Sequence, residues 1–151
     1  MKQEKITKFI KPDDADRKWY LVDAKDQVLG RLASEIAKVI RGKNKAVFTP
    51  NNDTGDYVIV INANQVKVTG KREQLKTYSH HSGYPGGLKT KRFEEVLAKK
   101  PEYLIESAVR GMLPKTRLGN KLIKKLKVYA GQEHPHVAQK PEQLKLMEKH
   151  G

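Results

Sequence analysis

The chain has 151 residues, 31 of them Lys or Arg against 17 Asp or Glu, for a net charge of +14. That length suits one domain with a sizeable core, and so large a cationic excess attracts polyanions. The absence of cysteine excludes a disulfide scaffold, a thiolate metal site and a cysteine nucleophile, while the longest apolar run, YVIVI at 57–61, falls far short of the ~20 residues that span a bilayer.

Residues 1–18 are polar and of mixed charge and read as a loose arm, without the apolar stretch of a secretory signal. WYLV (19–22) reads as a short buried strand. Leu29, Leu32, Ala33, Ile36, Ala37 and Ile40 then recur at three- and four-residue spacing and predict an amphipathic helix closed by Gly42. Lys38, Arg41, Lys43 and Lys45 gather at its end, where cations suit the helix dipole. YVIVINA (57–63) is apolar on both faces, as a central covered strand is. VKVTG (66–70) suggests another short strand, 71–77 a weak basic helix that includes Lys71 and Arg72, and KTYSHH a strand running into a loop.

From Lys91 the pattern is helical again. Phe93, Val96 and Leu97 form one apolar face before Pro101, and Ile105, Ala108, Val109 and Met112 form a second before Pro114. A third helix is predicted over 117–126 with Leu118, Leu122, Ile123 and Leu126 inward, then a last strand KVYA (127–130) and an extended, surface-bound tail. Strands alternating with helices imply an α/β layered sheet, at least partly parallel. The division expected is an arm at 1–18, an α/β domain at 19–131 and a tail at 132–151.

Four stretches raise questions of chemistry. SHHSGYPGG (79–87) pairs two histidines with a glycine-rich loop. Neighbouring strand residues point to opposite faces, so His80 and His81 are poorly placed to chelate one metal. A surface contact with phosphate or a base suits them better than a catalytic role. GYPGG lacks the phosphate-loop patterns GxxxxGK[ST] and GxGxxG and reads as a turn presenting Tyr84, with Pro85 fixing one φ and Gly86 or Gly87 taking a positive one. DTG (53–55) occurs once and precedes a strand; a turn is the simpler reading than half of an aspartic-protease dyad. VRGMLPKTRLGNKLIKKLK (109–127) holds seven cations and no acid. Its apolar positions serve a core, leaving Arg110, Lys115, Arg117, Lys121, Lys124, Lys125 and Lys127 to face outward towards a polyanion. Its apolar face has no Trp or Phe to favour a membrane. Residues 64–151 carry 19 basic and 8 acidic side chains against 12 and 9 in 1–63, so the electrostatic footprint is expected in the second half.

The blocks WYLVDAKDQVLGRLASEIAKVIRGK (19–43), FTPNNDTGDYVIVINA (48–63), HSGYPGGLK (81–89) and VRGMLPKTRLGNKLIKKLKVYAG (109–131) occur in an order that resembles the bacterial large-subunit ribosomal protein 13 family. The resemblance runs from about Lys18 to Gln143. It implies a single three-layer α/β/α domain around a small, mostly parallel sheet, with extended terminal segments. It implies a cytoplasmic, non-catalytic protein without cofactor or small-molecule substrate, bound to large-subunit ribosomal RNA and neighbouring ribosomal proteins early in assembly. The residues expected to meet RNA are Lys38, Arg41, Lys43, Lys45, Lys71, Arg72, His80, His81, Tyr84, Lys89, Arg110, Lys115, Arg117, Lys121, Lys124 and Lys125. An enzyme built on the histidine pair, or a general DNA-binding protein, are the rival classes.

Overall fold

The computed structural model describes residues 10–11 and 14–144. Its first unit is a strand, β1 (Trp19–Asp23), a helix, α1 (Leu29–Arg41), and a second strand, β2 (Tyr57–Ile61). The two strands pair in parallel with Trp19 beside Tyr57 and Asp23 beside Ile61. The leucine and isoleucine stripe places Leu29, Leu32, Ala33, Ile36 and Ile40 in the interior, each at most 2% exposed. The helix stops where expected. Gly42 takes φ +80°, its N–H bonds the Val39 carbonyl at 3.0 Å, and the Lys43 N–H bonds Lys38 O at 3.0 Å, the double closure of a Schellman motif.

The loop before β2 crosses this helix end at very short range. A Cβ on Gly55 would lie 1.7 Å from the Ile40 carbonyl oxygen, so only glycine lets the two segments touch.

The chain then makes a 3-10 turn at Ala63–Gln65, a one-turn helix, α2 (Arg72–Leu75), and an antiparallel ribbon of β3 (Thr77–His81) and β4 (Leu88–Arg92). Helices α3 (Phe93–Lys99), α4 (Pro101–Met112) and α5 (Arg117–Leu122) follow. Strand β5 (Leu126–Val128) and the two-residue β6 (Glu142–Gln143) complete the main sheet. That sheet is four-stranded and parallel throughout, in the order β5-β2-β1-β6. It is the α/β architecture expected, with the apolar β2 near its centre.

Alternation along the strands divides the sheet's faces. Val22, Val58 and Val60 join one core cluster with Leu32, Ile36 and Ile40 of α1 and Leu104, Ile105 and Val109 of α4. The other face carries Trp19 stacked on Tyr57 at 4.4 Å between ring centroids, and the C-terminal segment reaches it through His136, 5.2 Å from the Trp19 ring.

Several expectations are corrected. Residues 66–70 form no strand; Val28 and Lys67 make an isolated parallel bridge. The helix predicted over 117–126 ends at Leu122, a 3-10 turn takes Ile123–Lys125, and Leu126 belongs to β5. Met112 is 46% exposed, and the buried face of α4 is Leu104, Ile105 and Val109. Residues 88–92, half assigned to loop and half to helix, are a strand; LKTKR carries no apolar alternation because the whole strand is exposed. The stretch beyond Gly131, expected only to run over the surface, supplies β6, and the N–H of Leu144, the next residue, bonds Leu21 O at 2.9 Å. Of the arm, residues 1–9, 12 and 13 lie outside the described residues. Arg17 reaches Asp53 at 3.8 Å, and the Lys18 carbonyl accepts the Tyr57 N–H at 2.9 Å.

Candidate nucleic-acid interface

Cations expected at the surface divide into those the fold consumes and those it leaves free. Lys125 was expected to face outward; it is 4% exposed. Its ammonium donates to Asp53 Oδ1 and, at 2.8 Å, to the Gly55 carbonyl, and lies 5.5 Å from the Tyr57 ring centroid. Burial lowers its pKa, and the hydrogen bond and charge of Asp53 oppose that shift. The sequence reading left every cation of 109–127 outward because charge alone does not reveal a buried partner; Lys125 closes the 3-10 turn Ile123–Lys125, where Asp53 and the Gly55 carbonyl, some 70 residues earlier in the chain, receive it.

Lys45 is likewise committed. Its ammonium donates to Asp56 Oδ1 at 2.6 Å, an oxygen that also accepts the Lys18 N–H at 2.9 Å, and Asp56 is fully buried. The DTGD loop is therefore an ionic clasp, which ties the entrance of β2 to the arm, the end of α1 and the turn before β5. Lys38 pairs with Glu35 one turn away at 2.6 Å, and the Arg41 guanidinium stands 5.6 Å from the Phe48 ring centroid. Lys43, Lys71 and Arg72 are exposed.

The ribbon is different. Its residues are exposed except for Tyr78 and Gly87, which are half-buried. His80 lies across from Lys89 and His81 from Leu88, so the two imidazoles occupy opposite faces. The His81 Nδ1 accepts the Gly83 N–H at 2.9 Å, which leaves the proton of the neutral ring on Nε2, directed away from that bond. The tip closes as expected. Pro85 and Gly86 (φ +71°) form the centre of a turn in which the Gly87 N–H bonds Tyr84 O at 2.9 Å. Tyr84 is 76% exposed at the apex. Among the described residues no group of three His, Cys, Asp or Glu is arranged to hold a metal ion, and no helix is long and apolar enough to cross a membrane.

The basic stretch 109–127 folds around a cavity of about 430 Å³ bordered by Ser107, Arg110, Lys115 and Asn120. Thr116 caps α5 by accepting the Gly119 N–H at 3.2 Å, which orients this turn. Lys115, Arg117, Lys121 and Lys124 are exposed. A second cavity of about 370 Å³ lies between the ribbon and helices α3 and α4, bordered by Tyr78, His80, Lys89 and Tyr103. Lys91, Lys99 and Lys100 also line it, and none of these three was among the candidates. The signal was available in part, since KTKR and AKK are plainly basic, but only the ribbon's pairing brings them to one place.

Tyr103, Ser107 and Arg110 follow one another at i, i+4 and i+7 and share a face of α4. One end of that face borders the ribbon cavity and the other borders the α5 cavity, roughly 10 Å apart at 1.5 Å rise per residue. Among the described residues, Lys89, Lys91, Lys99, Lys100, Arg110, Lys115, Arg117, Lys121 and Lys124 form no ion pair. The unpaired cations gather at the two ends of α4, on the ribbon and the α3–α4 junction at one end and around α5 at the other, while α4 itself carries Glu102, Glu106 and Arg110.

Fold and surface together define a small basic α/β protein with clustered cations that form no ion pair among the described residues. Residues 17–135 match the family Ribosomal protein L13, and the chain belongs to that family. It is 61% identical over 138 residues to the large ribosomal subunit protein uL13 of Natranaerobius thermophilus, covering 91% of this chain and 96% of that one. It is 57% identical over 140 residues to the protein of the same name from Syntrophomonas wolfei, covering 93% and 97%. The Dictyoglomus thermophilum protein of that name is 59% identical over 140 residues, covering 93% and 99%.

Proposed function

We propose that this protein is a structural, non-catalytic component of the large ribosomal subunit. It binds large-subunit ribosomal RNA through phosphate contacts, alongside neighbouring ribosomal proteins, and stabilises the RNA fold early in assembly in the cytoplasm. The observation that carries the mode of binding is a pair of clusters of cations that form no ion pair among the described residues, Lys89, Lys91, Lys99 and Lys100 beside the ribbon and Arg110, Lys115, Arg117, Lys121 and Lys124 around α5. Membership of the family, and the name its relatives share, support the ribosomal setting.

The rigid part is the parallel sheet with α1 and α4, clasped by the buried Lys125–Asp53 and Lys45–Asp56 pairs. Lysines on the ribbon and on α5 then neutralise phosphates, and each neutralised phosphate releases counterions. Shape rather than base edges supplies most of the specificity, because the A-form major groove is too narrow for side chains. His80, His81 and Tyr84, projecting on the ribbon, touch the backbone or an unstacked base.

Binding to large-subunit ribosomal RNA across a salt series, with duplex DNA as competitor, tests this. The expected result is a steep linear fall of log affinity with log salt, with preference for the ribosomal RNA retained at every salt concentration. Equal competition by DNA, or affinity indifferent to salt, overturns it.

A further inference from the structure

We propose that the cavity between the β3–β4 ribbon and helices α3 and α4 receives a single unstacked nucleotide of the bound RNA, its base against Tyr103 and its phosphates among the surrounding lysines. The inference rests on the RNA-binding reading above and assigns a part of the RNA to a defined place on the protein.

The cavity holds about 370 Å³, within the span of about 300–1,000 Å³ common to small-ligand sites. Its walls separate by chemistry. Tyr78 and Tyr103 meet edge to face at 6.0 Å and 68°, which fixes both rings. Tyr78 is half-buried, and its pKa is raised by burial and by Tyr103, as suits a ring seated against protein. One side of it is further occupied by the Lys76 ammonium, 5.5 Å from the ring centroid. Tyr103 is 48% exposed and therefore still has ring surface to offer. An exposed ring held by a second aromatic is a stacking platform, and base stacking tolerates any sequence.

Around the rings stand Lys89 and Lys91 from the ribbon and Lys99 and Lys100 from the junction of α3 and α4. The ribbon register sets Lys91 beside Tyr78 and Lys89 beside His80, so these cations share the face that lines the cavity. Four lysines with no ion pair among the described residues, arriving from opposite walls, match the phosphates on either side of one extruded nucleotide. The single carboxylate in the lining, Glu95, would repel a bare phosphate but accepts a hydrogen bond from an exocyclic amine or ring N–H of a base. A cavity for phosphate alone has no use for two tyrosines and a glutamate; a nucleotide uses all three kinds of group.

The test compares the full-length protein with Tyr103→Leu, Tyr103→Phe and Lys99→Met in binding large-subunit ribosomal RNA across a salt series. Tyr103→Leu is expected to weaken binding at least fivefold at every salt concentration without changing the slope, because stacking releases no counterion. Tyr103→Phe restores wild-type affinity, and Lys99→Met reduces the slope by about one. Circular dichroism of each variant separates loss of contact from loss of fold. Ultraviolet crosslinking of the wild-type complex is expected to join the peptide containing Tyr103 to the RNA.

If wild type binds the RNA and Tyr103→Leu binds equally well, the cavity proposal fails while the general RNA-binding reading stands. If wild type itself shows no salt-dependent preference for the RNA, that reading fails and takes this one with it. Free AMP or CMP at millimolar concentration is expected not to displace the RNA; displacement that depends on Tyr103 would make the cavity a site for soluble nucleotides and overturn its assignment to RNA.

Discussion

Lys124 and Lys125 are neighbours of the same type with opposite fates. Lys125 is 4% exposed and bound to Asp53 and Gly55, whereas Lys124 is exposed and, among the described residues, has no carboxylate partner. Removing one member of a buried ion pair leaves the other's charge stranded at a cost of about 3–5 kcal/mol. Lys125→Ala is expected near the lower end, about 3 kcal/mol, because Asp53 is partly exposed and keeps Arg17 at 3.8 Å. Lys124→Ala is expected to shift stability by no more than about 0.5 kcal/mol, while lowering RNA affinity and reducing the salt slope by about one. Urea unfolding and RNA titration of the same two variants check both halves. A Lys125→Ala protein as stable as wild type would show that the clasp does not hold β2 to the turn before β5.

At the scale of elements, the ribbon and the clasped sheet obey different rules. The sheet's strands are specified by burial, and a register slip would move Val58 and Val60 out of the core. The ribbon has little buried surface, and its geometry rests on the turn at Tyr84–Gly87 and on its packing through Tyr78. Gly86 sits at φ +71° with nothing within 4 Å of where a Cβ would lie, so Gly86→Ala tests conformation without a clash. A non-glycine residue in this region costs roughly 1–2 kcal/mol. That cost falls on the ribbon alone. Hydrogen exchange is expected to accelerate at the Ser82 and Gly87 amides, which bond across the tip, while the thermal midpoint stays near that of wild type and RNA affinity drops. Unchanged exchange at these two amides would show that the ribbon does not depend on its turn.

At the scale of the whole molecule, the chain's end closes its beginning. Strand β6 pairs with β1, and His136 packs on Trp19 and accepts or donates a hydrogen bond at 2.8 Å with the Tyr129 hydroxyl. Removing residues 132–151 is therefore expected to destabilise the sheet and shift the emission of Trp19, the sole tryptophan, to longer wavelength as its ring meets water. An unshifted spectrum would mean that the C-terminal segment does not cover that face. By itself the sequence determined the α/β class, the span and termination of α1, the central position of β2, the turn at GYPGG and the basic character of 109–127. These are properties of local periodicity, of glycine stereochemistry and of charge, all of which act over a few residues. Only the tertiary structure decided that Lys45 and Lys125 are held by Asp56 and Asp53, that LKTKR is a strand, that residues 142–143 join the sheet, and that Lys91, Lys99 and Lys100 gather around Tyr78 and Tyr103. Each of those depends on which distant segment lies alongside, and a lysine's fate is set by the carboxylate or solvent it meets there, not by its neighbours in the chain.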